Sequence, residues 1–337
     1  MPDGYQTRQR AAVHLLDAAT PDDPEDPGGF DVYRLLDAHV AAAAEHLVEV
    51  DPRRALFMLR RCGLSQDHRA ELSRAEATHR RALEISSTAY GPDHAEVAAD
   101  LTNLAIIQRR FGRSDEAESN QTRALTIFEN TYEPNHPQVG EALANLGHIL
   151  QQQGRLHEAE ATQTRALTIF ENTYGPDHPA VAATLTHLGL VQLQQGRLDE
   201  AEATQTRALT IFENTYESDH PDVAMTLHDL AEVQLYQGRL REARITESRA
   251  LAIYEATYGP NHPDTAAVLG MLGLIQAEQG QIDAAIDSIE RTLAVFTATF
   301  GPGHPDTAQA QAFLGSLRTN AAEVPSAGGG GVDGPEC

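Results

Sequence analysis

Residues 174–215 read YGPDHPAVAATLTHLGLVQLQQGRLDEAEATQTRALTIFENT, and the same frame returns every 42 residues on either side. Tyr174 is matched by Tyr90, Tyr132, Tyr216, Tyr258 and Phe300. His94, His136, His178, His220, His262 and His304 keep the register, and so do Gly112, Gly154, Gly196, Gly238 and Gly280. The segment QTRALTIFENTY stands unchanged at 121–132, 163–174 and 205–216. A fixed period of this length marks a stacked-repeat protein. Each unit of such a protein packs on its neighbours, and the product is one elongated body with a long surface rather than a buried pocket.

Within the quoted unit, Leu185, Leu188 and Val191 recur at three-residue steps, the stripe of a helix. The pattern breaks at Gly196 and resumes with Leu198, Ala201, Ala208, Leu209, Ile211 and Phe212. Two antiparallel helices over 179–194 and 198–215 are therefore predicted, joined by a tight turn at the glycine. Gly175-Pro176-Asp177-His178-Pro179 places turn formers before a proline suited to the first helical turn. Ala105, Gly147, Gly189, Ala231 and Gly273 form one column of small residues, and Ala117, Ala159, Ala201, Ala243 and Ala285 another. Such columns let paired helices approach closely, and a bulky replacement there overpacks by about 1–3 kcal/mol. The fold class is an all-α solenoid.

Five complete units occupy 90–299. Upstream, Leu72, Ala75, Glu76, Arg81, Ala82, Leu83 and Ile85 sit in register with the second helix of the later units, so 51–89 reads as a degenerate capping unit. Its first helix, around Arg53 to Arg61, lacks the turn glycine. Residues 300–320 supply a solitary capping helix carrying Phe313, Leu314 and Leu317, and 321–337 read as a flexible glycine-rich tail. In 1–50, helices at about 5–18 and 30–50 flank an acidic, proline-rich linker, TPDDPEDPGG at 20–29.

A net charge of −24 argues against nucleic acid as a partner, because phosphate binding draws on clustered cations. All 25 basic residues are arginine, so neither a lysine-bearing phosphate loop nor a lysine Schiff base can be built. Cys62 and the terminal Cys337 suggest no disulfide framework or zinc site. No apolar run has the length of a membrane helix, and the N-terminus is too polar for a signal peptide, so the expectation is a cytoplasmic protein without membrane contact. No HExxH helix, GxSxG elbow or cysteine–histidine pair is present, and the expectation is a non-enzyme without catalytic residues, cofactor or metal.

The unit LxxLG…QGRLxEAExxxxRALxIxExxYGPDHPxVA, read from residues 185 to 225 and their copies, resembles the tetratricopeptide repeat of kinesin light chains. The likeness covers about 51–320. It implies a right-handed superhelix of helix pairs whose inner groove binds peptides. The stretch from Ala11 to Ala42, AAVHLLDAATPDDPEDPGGFDVYRLLDAHVAA, is similar to the connector that joins the winged-helix part to the tetratricopeptide array in bacterial NB-ARC-type signal-transduction ATPases. No glycine-rich loop with lysine precedes it. That likeness implies a sensor part acting with a separate NB-ARC ATPase or kinase chain.

In tetratricopeptide grooves, the polar residue before the second leucine of the first helix faces inward. Here that column is Asn103, Asn145, His187, Asp229 and Met271. Amides suit an extended chain because each offers a donor and an acceptor; the alternative is a row of solvated helix residues. Neighbouring inward positions are Arg109, Arg110, His148, Gln152, Leu190, Gln194, Glu232, Tyr236, Leu274 and Glu278. Positive charge gathers in the first unit and negative charge in the fourth and fifth, which suits a segment acidic at one end and basic at the other. The histidine column is expected to be structural, at the entry to each first helix, with the preceding Asp or Asn helping to cap; stacking about 10 Å apart leaves successive histidines unable to share a metal. Arg81, Arg123, Arg165, Arg207, Arg249 and Arg291 are expected to cross between units to a glutamate such as Glu158 or Glu200, with a ligand-binding stripe as the other reading. Two functions follow: a scaffold for a peptide or flexible protein segment, and a regulatory sensor of an ATPase switch. An array without a partner is the third reading.

Overall fold

The structure, a computed structural model, describes residues 16, 19–21, 24, 27–216 and 218–323, with side chains up to 320. The expected helix at 5–18 and the tail expected at 321–337 fall almost wholly outside the described residues, except that 321–323, expected in the tail, continue the last helix. Those that are described form fourteen α-helices and no strand. They are α1 (Phe30–Leu47), α2 (Pro52–His68), α3 (Leu72–Tyr90), α4 (Ala95–Arg110), α5 (Ser114–Thr131), α6 (Pro137–Gln152), α7 (Leu156–Tyr174), α8 (Pro179–Gln194), α9 (Leu198–Thr215), α10 (Pro221–Tyr236), α11 (Leu240–Tyr258), α12 (Pro263–Glu278), α13 (Ile282–Phe300) and α14 (Pro305–Glu323). α8 and α9 occupy the residues that the hydrophobic period predicts.

The even-numbered helices from α2 to α14 are the first, or A, helices of their units, and the odd-numbered ones from α3 to α13 are the B helices. Every A helix from α4 to α12 starts on its column histidine, whose ring Nδ1 accepts the backbone N–H two residues on: Ala180 N–H to His178 at 3.1 Å is one case, Glu96 N–H to His94 at 3.2 Å another. This corrects the expected cap. The imidazole, not the preceding Asp or Asn, satisfies the open N–H. It is held there by stacking on the aromatic ring that ends the previous B helix, with centroids 4.3 Å apart for Tyr174 and His178 and 3.9 Å for Tyr216 and His220.

The A helices end in left-handed glycines, as at Gly196 (φ 76°), where Arg197 N–H reaches back to Gln192 O at 2.9 Å. In the capping unit, α2 continues to His68, past the expected Arg61, and Ala70 takes the left-handed turn position at φ 57°. α1 packs onto this unit through Ala44 against Ala55, Leu56 and Ala82. Its buried Asp37 accepts hydrogen bonds from the Arg69 guanidinium at 2.8 Å and from the Cys62 thiol at 3.0 Å.

One continuous core runs from Val97 to Val268, with Phe128, Phe170, Phe212 and Tyr254 at equivalent places. The alanine column is fully buried at Ala117, Ala159, Ala201, Ala243 and Ala285. Opposite the other small column lie buried polar side chains. Gln163 donates to Ala144 O and Gln205 to Thr186 O, each at 2.9 Å, and a Cβ on Gly147 or Gly189 would come within 2.7 Å of that same amide nitrogen. The helices meet closely because the backbone itself accepts the glutamine.

Successive A helices from α4 to α12 touch each other, whereas B helices contact chiefly the A helices beside them. The chain therefore curves with the A helices inside. The curve is tight: His262 Nε2 lies 2.9 Å from the carbonyl oxygen of His68, 194 residues away. The two ends of the array meet, and the body is more closed than the expected elongated one.

Candidate functional site

The inner wall is built from the same face of α4, α6, α8, α10 and α12. At its N-terminal end, Arg109 stands 3.3 Å from His148 Nε2, and the rings of His148 and His187 lie 4.2 Å apart. Among the described residues Arg109 has no carboxylate partner. Burial and the neighbouring Arg110 bring its guanidinium down to about 10, and burial with the Arg109 charge holds His187 down to about 4 and His148 well below the usual imidazole value. One unneutralised cation thus sits beside two neutral rings.

Arg110 behaves differently. Its guanidinium is 2.6 Å from Asp67 of α2, and burial, which works against its charge, is outweighed by Asp67 and Asp264. The structure separates the two neighbouring arginines into one paired with Asp67 and one that, among the described residues, has no carboxylate partner.

Asn103 and Asn145, which open the column, are half-buried. Neither side chain finds a hydrogen-bond partner among the described residues. Gln152, Gln194 and Tyr236 end α6, α8 and α10 and are exposed, Tyr236 by 65%. They form a rim rather than the wall.

Asp229, by contrast, is only 6% exposed, and its Oδ2 has no partner. Burial, partly offset by the charge of His228, pushes its carboxyl up to about 8, and burial also raises Glu232. Beside them His228 Nδ1 is 2.7 Å from Glu247 Oε1. Burial opposes a charged His228, but the Glu247 carboxylate outweighs it and holds the imidazole up to about 9. His228 and Glu247 were missed from the sequence. Their signal was there: Glu247 stands in the column of Gln121, Gln163 and Gln205, and His228 in that of Thr186. A carboxylate cannot donate to the helix as glutamine does, so the histidine side chain donates to it instead.

At the C-terminal end, a cleft of about 630 Å³ opens between α12 and α14, floored by Ile289, Thr292 and Phe296 of α13. Among the described residues, no three His, Cys, Asp or Glu side chains stand where they could hold a metal ion. The arginine column crosses between units, but not to the glutamates expected. Arg165 pairs with Glu129 at 2.8 Å and Arg207 with Glu171 at 2.8 Å. Glu158 and Glu200 instead pair with Arg155 and Arg197 of the turns, which also reach Glu118 and Glu160 of the unit before.

Paired helices stacked in strict succession around an inner wall of mixed charge define a helix-turn-helix solenoid. The chain belongs to the tetratricopeptide repeat family, whose sequence profile matches residues 68–130, 109–172, 138–214, 188–256 and 248–298. No curated protein matches the chain. Among solved structures it is similar to BtubC (BKLC) from P. vanneervenii, with 23% identity, TM-score 0.55, and coverage of 68% of this chain and 92% of that one. It is also similar to a Rap protein solved in complex with Competence and Sporulation Factor, at 14% identity and TM-score 0.60, over 94% of this chain and 86% of the other. A kinesin light chain from Podosopora anserina with nearly identical TPR-like repeats shares 23% identity over 61% of this chain and 98% of that one, at TM-score 0.47. These likenesses are of fold. Among the described residues no helix is long and apolar enough to cross a membrane.

Proposed function

We propose that this chain is a non-catalytic scaffold that holds a peptide or flexible protein segment along the concave wall of its repeats. One observation carries the reading: the wall keeps unmatched polar groups at two separated places, the Arg109 guanidinium without a carboxylate in the first unit and the Asp229 carboxyl with a free Oδ2 in the fourth. Buried polar groups are ordinarily satisfied within the protein, so a wall lined with unmatched ones is supplied by a ligand. The partnerless amides of Asn103, on the helix of Arg109, and of Asn145, on the next A helix, suit the N–H and C=O groups of an extended backbone.

The test is capture of partners by the intact chain against Asn103→Ala/Asn145→Ala and Arg109→Glu variants, with melting curves to verify folding. Loss of the same partner in both variants is the expected result. Equal recovery by all three proteins would remove the groove from the account.

A further inference from the structure

The polarity of the inner wall changes along its length. The column Asn103, Asn145, His187, Asp229 ends in Met271 and Phe313, and the buried column Gln121, Gln163, Gln205, Glu247 ends in Ile289. Two independent columns turn apolar at the same place. There α14 packs on α13 and touches α12 less than the earlier A helices touch one another. Gly270 occupies the position that His228 fills one unit earlier, so nothing on α12 closes the gap. The resulting cleft is lined mainly by Met271, Leu274, Ile289, Phe296 and Phe313. The hydroxyl of Thr292 already donates to Ala266 O at 2.9 Å and that of Ser316 to Phe313 O at 2.7 Å, while Asp306 and Gln309 of α14 add polar lining. The cleft offers volume and a predominantly apolar surface.

Polar direction comes from its edge. His228 lines the cleft, and behind it lie Asp229 Oδ2 and Glu247 Oε2, both buried and without partners. Stacked helices are about 8–10 Å apart, so Asp229 on α10 sits one helix spacing from Met271 on α12. An extended chain covers that distance in about three residues, at about 3.3–3.6 Å each.

The geometry points to a partner segment in which a large apolar side chain fills the cleft between α12 and α14 while an arginine or lysine about three residues away reaches Asp229. This deepens the groove reading and rests on it. A pocket of this size is in the range that buries most of a small ligand, and a cation at the unmatched Asp229 Oδ2 would favour the ionised form of a carboxyl that burial otherwise keeps protonated. The chain's own residues 324–337 carry Asp333 and Glu336 and no arginine, so their charge opposes this edge. Residues 1–15, with Arg8 and Arg10, are the competing occupant within the chain.

The probes are fluorescein-labelled nine-residue Gly/Ser peptides with Arg at position 3 and Phe at position 6, beside versions with Glu for the Arg or Ser for the Phe. Anisotropy with the intact chain should show the Arg/Phe peptide binding about tenfold or more tightly than either version. Asp229→Asn should weaken it about tenfold. Ala312→Trp should do the same by filling the cleft from an exposed position without touching the core. Equal binding of all three peptides, or no effect of these two variants, would overturn the proposal. So would tighter binding of the Arg/Phe peptide after Arg8→Glu/Arg10→Glu, which would give the cleft to the chain's own N-terminal segment. Inert cleft variants combined with partner loss in Asn103→Ala/Asn145→Ala would sink the cleft and keep the groove. Probe binding that depends on Asp229 and Ala312 in a chain that captures no partner would do the reverse.

Discussion

The imidazole of His262 donates from Nε2 to the carbonyl of His68 at 2.9 Å, while its Nδ1 accepts the Asp264 N–H at 3.3 Å. One neutral ring thus caps α12 and ties the fifth unit to the turn of the capping unit. The same closure brings Asp264 near Arg110, and Pro305 to 3.9 Å from where a Cβ on Gly112 would lie. The inner wall is narrowed by the protein's own curvature.

Asparagine also caps helices but is too short to bridge both partners. His262→Asn should therefore keep α12 capped and enlarge the radius of gyration in small-angle scattering, while His178→Asn, which has a cap and no closure, leaves it unchanged. Identical scattering from both variants would show that this contact does not set the shape.

Gly189→Ala places a Cβ 2.7 Å from Gln205 Nε2 and 2.8 Å from its Cδ, so the amide must leave Thr186 O. Urea unfolding should show a loss of about 1–3 kcal/mol. Gly189→Ala/Gln205→Ala should recover part of it, because the crowded amide is gone. A double variant no more stable than the single one would place the strain elsewhere.

Ala70 stands in a left-handed turn at φ 57°, where the other units have glycine. Ala70→Gly should raise stability by about 0.5–1 kcal/mol, and Gly196→Ala, whose Cβ would meet no neighbour, should lower it by about 1 kcal/mol. Thermal melts of the two variants moving in the same direction would contradict this.

The histidines predict a stability profile with two limbs. Burial holds His79 and His187 down to about 4, so the unfolded chain binds more protons than the native one between about 4 and the ordinary value, and stability should fall as pH drops through that window. His228 is held up to about 9 against its burial by Glu247, so its contribution is complete below the ordinary histidine value and lost as pH rises through about 9. His228→Asn should flatten the alkaline limb of a melting-temperature profile and leave the acid limb in place.

Much of the fold was legible because each unit repeats its own short-range order. The three-residue steps of Leu185, Leu188 and Val191 and the break at Gly196 mark α8 and α9, and the strict columns name the inward face. The caps were read less well. A sequence shows an aspartate before a histidine, but only the stacking of Tyr174 on His178 turns the ring so that Nδ1 meets the Ala180 N–H. Arg165 was rightly assigned to the boundary between units, yet its partner Glu129 depends on the angle between them.

By itself the sequence determined an all-helical stack of 42-residue units with a defined inner face and a change of charge along it, since these depend on helical periodicity within a unit. The tertiary structure alone decided that Asp67 neutralises Arg110 while Arg109 stays open, that His262 reaches His68, and that α12 and α14 part over an apolar floor. Those outcomes arise from small rotations between successive units that accumulate along the array, and such rotations are set by packing between units rather than by the pattern within any one of them.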